Sequence, residues 1–194
     1  FLSEMEILRK VAYKTGTSGR RHPITFLVEA ADDIVYSAVD IEDGVKKRIL
    51  TWEQVKKHLS DNCAGSTVFD AAMKKTNEQV GRNAPGSEFA QAFRVNAISE
   101  TVRAAVRIFD ARYAEIMRGT YKQELVRDKE YTGAALIKAC KELLRTTVFL
   151  EEDVLRLEVR GRRVLHELLD LFWEGTSEFL AKREKSTKTY GGKL

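Results

Sequence analysis

Arg21-His22-Pro23-Ile24-Thr25-Phe26-Leu27-Val28-Glu29-Ala30-Ala31-Asp32-Asp33-Ile34-Val35-Tyr36-Ser37-Ala38-Val39-Asp40-Ile41-Glu42-Asp43 is the stretch on which the reading of this chain turns. Pro23 suits the first turn of a helix, where an amide hydrogen would have no partner, and the apolar residues after it recur at helical rather than strand spacing. One helix is expected over about residues 24–43. Projected at about 100° per residue, Leu27, Ala30, Ala31, Ile34, Val35, Ala38 and Ile41 fall on one broad packing face. Glu29, Asp32, Tyr36, Asp40 and Asp43 gather within roughly a quarter of the circumference on the other side. Like charges three and four residues apart repel by about 0.2–0.5 kcal/mol per pair in an isolated helix. The stripe therefore has two readings: a solvated outer face, or a surface that meets a metal ion or a cationic partner.

The remaining sequence points to one all-α domain. At 194 residues with 43% hydrophobic content the chain can bury a real core. Two prolines and abundant leucine, alanine, lysine, arginine and glutamate favour helices, and no strand-period run disputes them. No apolar stretch approaches the ~18–20 residues of a membrane span. Cys63 and Cys140 lie far apart without Cys-x-x-Cys spacing, which argues against a disulfide framework or structural zinc and fits reduced thiols in the cytoplasm. The net charge of +4 is a mild excess that favours encounter with triphosphate or nucleic acid. Part of it lies in Lys182, Arg183, Lys185, Lys188 and Lys193, and residues 184–194 read as a flexible basic tail.

Taken in order, residues 1–13 suggest a short helix with Met5, Ile7, Leu8 and Val11 facing inward. The Gly- and Arg-containing connector after it lacks the phosphate-loop pattern. Thr51 and Gln54 have capping-box spacing for a helix to about residue 59, which leaves His58 on an exposed face rather than on a metal. A third helix over 68–80 ends at the glycine- and proline-containing break 81–86. Ser87 is expected to cap a long helix to Arg118, stopped by Gly119, with Phe89, Phe93, Ala97, Val102, Ala105, Val106, Phe109, Tyr113 and Ile116 as its apolar stripe. Arg94 and Arg103 on that helix carry forks suited either to phosphate oxygens or to surface ion pairs. Thr132 is expected to cap a helix to residue 150. A helical pattern over 154–173 is interrupted by Gly161 beside Arg160, Arg162, Arg163 and His166, and a short helix over 176–182 follows.

The run Ala30-Ala31-Asp32-Asp33-Ile34, with Tyr36, Asp40, Glu42 and Asp43 after it and Arg21-His22-Pro23 before it, resembles the HD-domain deoxynucleoside triphosphate triphosphohydrolases. The likeness is dense over 21–52. It returns more loosely in Phe93-Arg94-Val95-Asn96-Ala97-Ile98 and in Val154-Leu155-Arg156-Leu157-Glu158-Val159-Arg160-Gly161 with Leu168-Leu169-Asp170. It implies an HD-domain-like helical bundle, here its C-terminal portion, forming a single helical region over 1–194 in which 21–60 carries the metal and substrate helix. The implied reaction is metal-dependent hydrolysis of dGTP, or another dNTP, to the deoxynucleoside and tripolyphosphate.

The resemblance also implies that Asp32 is the last ligand of one divalent metal, magnesium, manganese or iron, in a set completed by histidines and a His-Asp pair. Tyr36 and Asp40 would lie along the sugar. An aspartate accepting from a 3′-hydroxyl, beside a ring placed where a 2′-hydroxyl would sit, gives a physical basis for preferring deoxyribose. A homo-oligomer is implied as well, with single-stranded DNA as a further partner. His22, His58 and His166 are the only histidines and none precedes an aspartate, so the expectation is a fragment without the other ligands and without activity of its own. The alternative is a helical nucleic-acid-binding or interaction module without catalysis, based on the basic balance and the arginine clusters.

Overall fold

Pro23 opens the helix around which the core forms. In the computed structural model, which describes the backbone of residues 2–190 and the side chains of residues 2–180, α1 spans Met5–Lys14, α2 Pro23–Lys46, α3 Trp52–Asn62 and α4 Thr67–Gln79. They are followed by α5 Gly86–Ala111, α6 Tyr113–Arg118, α7 Ala134–Thr146 and α8 Glu152–Tyr190. No strand occurs among the described residues, so the fold is the expected all-α, HD-domain-like bundle. The chain divides into two compact units, 1–148 and 149–194.

In the first unit α2 starts where expected because His22 holds an extended backbone and its ring Nδ1 accepts from the Ile24 amide at 3.2 Å, while Pro23 occupies the first turn. The buried face is Phe26, Ala30, Ile34, Ser37, Ala38, Ile41, Glu42 and Val45, a run of three- and four-residue steps. It is turned from the expected face toward Phe26 and Ser37. Ala31 and Val35 are exposed. α2 packs chiefly on α5, and also on α7, while α4 closes the other side of α5. Fully buried Ile34 and Phe93 are each worth about 1.5–3 kcal/mol. At the far end Arg48 adopts φ +61, and the amides of Ile49 and Leu50 both turn back to the Gly44 carbonyl at 3.0 and 3.1 Å. A Cβ on Gly44 would stand 3.1 Å from both Leu50 and Val148, so the bare backbone lets this return segment close over α2.

The Thr51 capping box forms in both directions, with the Thr51 hydroxyl accepting from the Gln54 amide and the Gln54 side chain accepting from the Thr51 amide. Trp52 then stacks with Phe89 and tilts against Phe93, 5.6 Å away, tying α3 to α5.

Several expected boundaries move. α5 starts at Gly86, behind the extended Pro85, so Ser87 lies inside the helix and does not cap it. The helix kinks at Arg112, whose guanidinium reaches Asp128, and α6 ends as expected at Gly119 in the left-handed conformation, φ +72. Val102, Val106 and Tyr113 of the expected stripe are exposed. α7 begins after Gly133 rather than at Thr132. α1 buries nothing, and Met5, Ile7, Leu8 and Val11 face solvent instead of the core.

In the second unit α8 runs unbroken through Gly161 and Gly175, because an isolated glycine costs a helix only about 1 kcal/mol relative to alanine. The expected basic tail at 184–194 lies outside the described side chains. No helix among the described residues is long and apolar enough to cross a membrane.

Candidate functional site: the acidic edge of α2

The edge of α2 opposite its core face carries Glu29, Asp32, Tyr36, Asp40 and Asp43 at successive turns. Glu29 already has its cation: Arg21, from the connector before Pro23, pairs with it and lies over the Phe26 ring at 4.3 Å from the centroid. Asp33, one residue off the stripe, pairs with Lys141 of α7. Asp32 is exposed and forms no hydrogen bond or ion pair among the described residues. Tyr36, four residues on, is 60% exposed. Asp40 is half-buried; desolvation, reinforced by Asp43, pushes its carboxyl above the usual aspartate range against the pull of Lys47. An exposed aspartate without a partner among the described residues, an exposed tyrosine and a half-buried aspartate therefore lie along one helical edge, each a turn from the next.

Arg94 sits elsewhere in this bonding pattern. It donates to Glu42, a carboxylate only 4% exposed beneath the edge, and Lys46 reaches the other oxygen at 2.5 Å. Burial alone would raise the Glu42 pKa, but hydrogen bonds from Lys46 and Arg94 outweigh it and the net shift is downward. Arg94 thus clasps α5 to α2. Arg103 is likewise engaged, with Glu100, which also accepts from Lys75 at 2.5 Å. The step of four from Ala38 to Glu42 lies on the core side, the sequence signal that accounts for its burial. Replacing Arg94 with alanine is expected to cost about 2 kcal/mol at pH 7. Because the folded pKa of Glu42 is depressed, the stabilisation is present above the unfolded carboxyl pKa and is lost as pH falls through the folded value. Urea unfolding of wild type and variant at pH 7 and pH 4 should show the gap narrowing in acid; an equal gap at both would contradict the assignment.

His58 donates to or accepts from no metal ligand: its Nε2 lies 3.1 Å from the Ala139 carbonyl and joins α3 to α7. His22 caps α2, and His166 is exposed on α8. Among the described residues no three His, Cys, Asp or Glu side chains converge on a point that could hold a metal. Asp32 offers one hard oxygen ligand of the right kind, and the described residues do not complete a centre around it.

No family model matches the chain. Curated relatives do. The deoxyguanosinetriphosphate triphosphohydrolases of Yersinia pestis (strain Pestoides F) and Yersinia pseudotuberculosis serotype O:3 (strain YPIII) are 32% identical to it over 159 residues, and that of Klebsiella pneumoniae (strain 342) is 33% identical over the same length. Each alignment takes in 78% of this chain. Over that span the chain is a homologue of deoxyguanosinetriphosphate triphosphohydrolases. It spans about a third of the length of these relatives, 31% in each case.

Proposed function

We propose that this chain supplies the sugar-facing helix of an enzyme that hydrolyses deoxynucleoside triphosphates, dGTP foremost, to the deoxynucleoside and tripolyphosphate. Asp32 contributes one ligand to a divalent cation, magnesium, manganese or iron, and Tyr36 and Asp40 line the deoxyribose, with Asp40 accepting from its 3′-hydroxyl. The observation that supports this most is the free carboxylate of Asp32 a turn from open Tyr36 and two turns from Asp40, on a surface whose neighbouring acids, Glu29, Asp33 and Glu42, are already paired. Arg94 is a clasp in this reading and not a phosphate contact. A homo-oligomeric state, a cytoplasmic site of action and a second partner in single-stranded DNA belong to the same proposal. The two free, buried cysteines support the compartment, and the net charge of +4 supports the nucleic acid.

Because the described residues do not complete a metal centre, the 194-residue chain alone is expected to release no tripolyphosphate from dGTP with manganese or magnesium. Ion chromatography of the reaction mixture tests this. Steady turnover would show that the chain holds a full ligand set and that the assignment of Asp32 as one ligand among missing others is wrong.

A further inference from the structure

The last turns of α2 rest in an apolar seat that contains one buried charge. Ile41 and Val45 are buried, Gly44 lies where a Cβ would stand 3.1 Å from Leu50 and from Val148, and Phe93, the neighbour of Arg94 on α5, is buried against Trp52. Glu42 lies among them and takes Arg94 on one carboxylate oxygen and Lys46 on the other. The two cations are not equivalent. Lys46 belongs to α2, half of its side chain is exposed, and it moves with the helix. Arg94 comes from α5, and its bond to Glu42 is the only ion pair among the described residues that joins these two helices. Asp40 precedes Glu42 by two residues, about 200° around the same turn. It forms no hydrogen bond or ion pair among the described residues, and the charges that act on it, Asp43 and Lys47, lie on α2 or just past its end. Its direction relative to α5 is therefore set by the rotation of the turn, and the one polar tie on that rotation runs through Glu42.

We propose that Arg94 is a positioning residue for Asp40: by pairing with Glu42 it fixes the rotation of α2 at the turn where Asp40 meets the sugar 3′-hydroxyl, and so sets the discrimination for that hydroxyl. The inference rests on Asp40 as the partner of the 3′-hydroxyl. Its physical basis is the cost of a buried charge that has lost a partner. Without Arg94, Glu42 keeps only Lys46, and the turn relieves the unpaired charge by rotating the carboxylate toward Lys46 and water. A helical turn moves as a unit, so Asp40 on its other side is carried out of line. A displacement of about 1 Å is enough to lose most of what a positioned hydrogen bond contributes. An arginine that touched the triphosphate directly would behave differently, because its loss would weaken substrates with and without the hydroxyl alike.

The test is the ratio of kcat/KM for dGTP to that for its 3′-deoxy analogue, measured on the longest native form of the protein that contains this chain. The wild type is expected to prefer dGTP. Arg94→Met should lower kcat/KM for dGTP by about ten-fold and that for the analogue by less than about two-fold. Any loss of folded protein lowers both values equally and cancels in the ratio. The double variant E42M/R94M, which removes the unpaired charge together with its partner, should bring the ratio back to within about three-fold of wild type. Asp40→Asn is the control and should itself collapse the ratio. A wild type that treats the two substrates alike, or an Asp40→Asn variant that keeps the ratio, would overturn the assignment of Asp40 and this inference with it. If Asp40→Asn collapses the ratio and Arg94→Met leaves it unchanged, the inference alone is overturned. The same holds if Arg94→Met weakens both substrates equally, or if the double variant discriminates no better than Arg94→Met.

Discussion

Replacing Asp128 with alanine is expected to lower the unfolding free energy of the first unit by about 3 kcal/mol at neutral pH. Asp128 is 2% exposed, and its carboxylate is a hub: it accepts from Arg112 Nε at 3.0 Å and Nη2 at 3.3 Å, from the Tyr121 hydroxyl at 3.0 Å, from Gln123 at 3.0 Å and from the Glu130 amide at 3.0 Å. Removing it leaves the guanidinium that sets the α5–α6 kink without its main acceptor, and leaves a buried phenol without one. Tyr121 in turn packs edge-on against Phe26 at 5.4 Å, so the loss reaches the first turn of α2 and the helix that carries the site.

The pH dependence of this network has a definite sign. The Arg112 hydrogen bonds, which outweigh burial, hold the Asp128 carboxyl down to about 2 from an ordinary value of 3.8. A depressed carboxylate contributes stability that is fully present above its unfolded pKa and is lost as pH falls through the folded one, here between about pH 4 and pH 2. The shift corresponds to about 2 kcal/mol. Denaturant unfolding of wild type and Asp128→Ala should therefore show a large difference at pH 7 that shrinks steadily below pH 4. Asp128→Asn, which keeps shape and part of the bonding, should fall between them. A difference under about 1 kcal/mol at pH 7 would mean that Arg112 and Tyr121 find other partners at little cost.

This network also shows where sequence reasoning stopped. The apolar rhythm from Phe89 to Ile116 reads as one long helix, and nothing near Arg112 announces a break; the aspartate that Arg112 reaches lies 16 residues farther on. The Arg94–Glu42 bond joins residues 52 apart, so the sequence leaves Arg94 open between phosphate and an ion pair and does not name Glu42 as its partner. Local chemistry was legible. Pro23 marks the start of α2, Thr51 and Gln54 make a capping box, Gly119 stops α6, and the four-residue steps from Asp32 to Tyr36 to Asp40 place the candidate site on one edge. Amphipathic spacing says that a helix has an apolar face without saying whether anything covers it. That is why α1 and α8, each with a plausible inward face, stand with those faces exposed.

The second large effect falls on chemistry. Asp32 is exposed and unpaired among the described residues, so Asp32→Ala should leave the folding free energy within about 0.5 kcal/mol of wild type. As the proposed metal ligand it should nonetheless be indispensable to hydrolysis, and losing several kcal/mol of transition-state stabilisation corresponds to a fall in kcat of about a thousand-fold. Tyr36 and Asp40 variants should differ from it in kind, with the deoxyribose preference relaxing before the rate collapses. Such a split between stability and activity separates Asp32 from Asp128 and Arg94, whose replacement destabilises the bundle.

The most direct measurement is product analysis of dGTP hydrolysis by the longest native form of the protein that contains this chain, wild type beside Asp32→Ala, with manganese and with magnesium. Deoxyguanosine and tripolyphosphate from the wild type, absent from an equally stable Asp32→Ala variant, is the predicted result. Release of dGMP and pyrophosphate, or activity indifferent to Asp32, would contradict the account and return the acidic edge of α2 to an ordinary solvated surface.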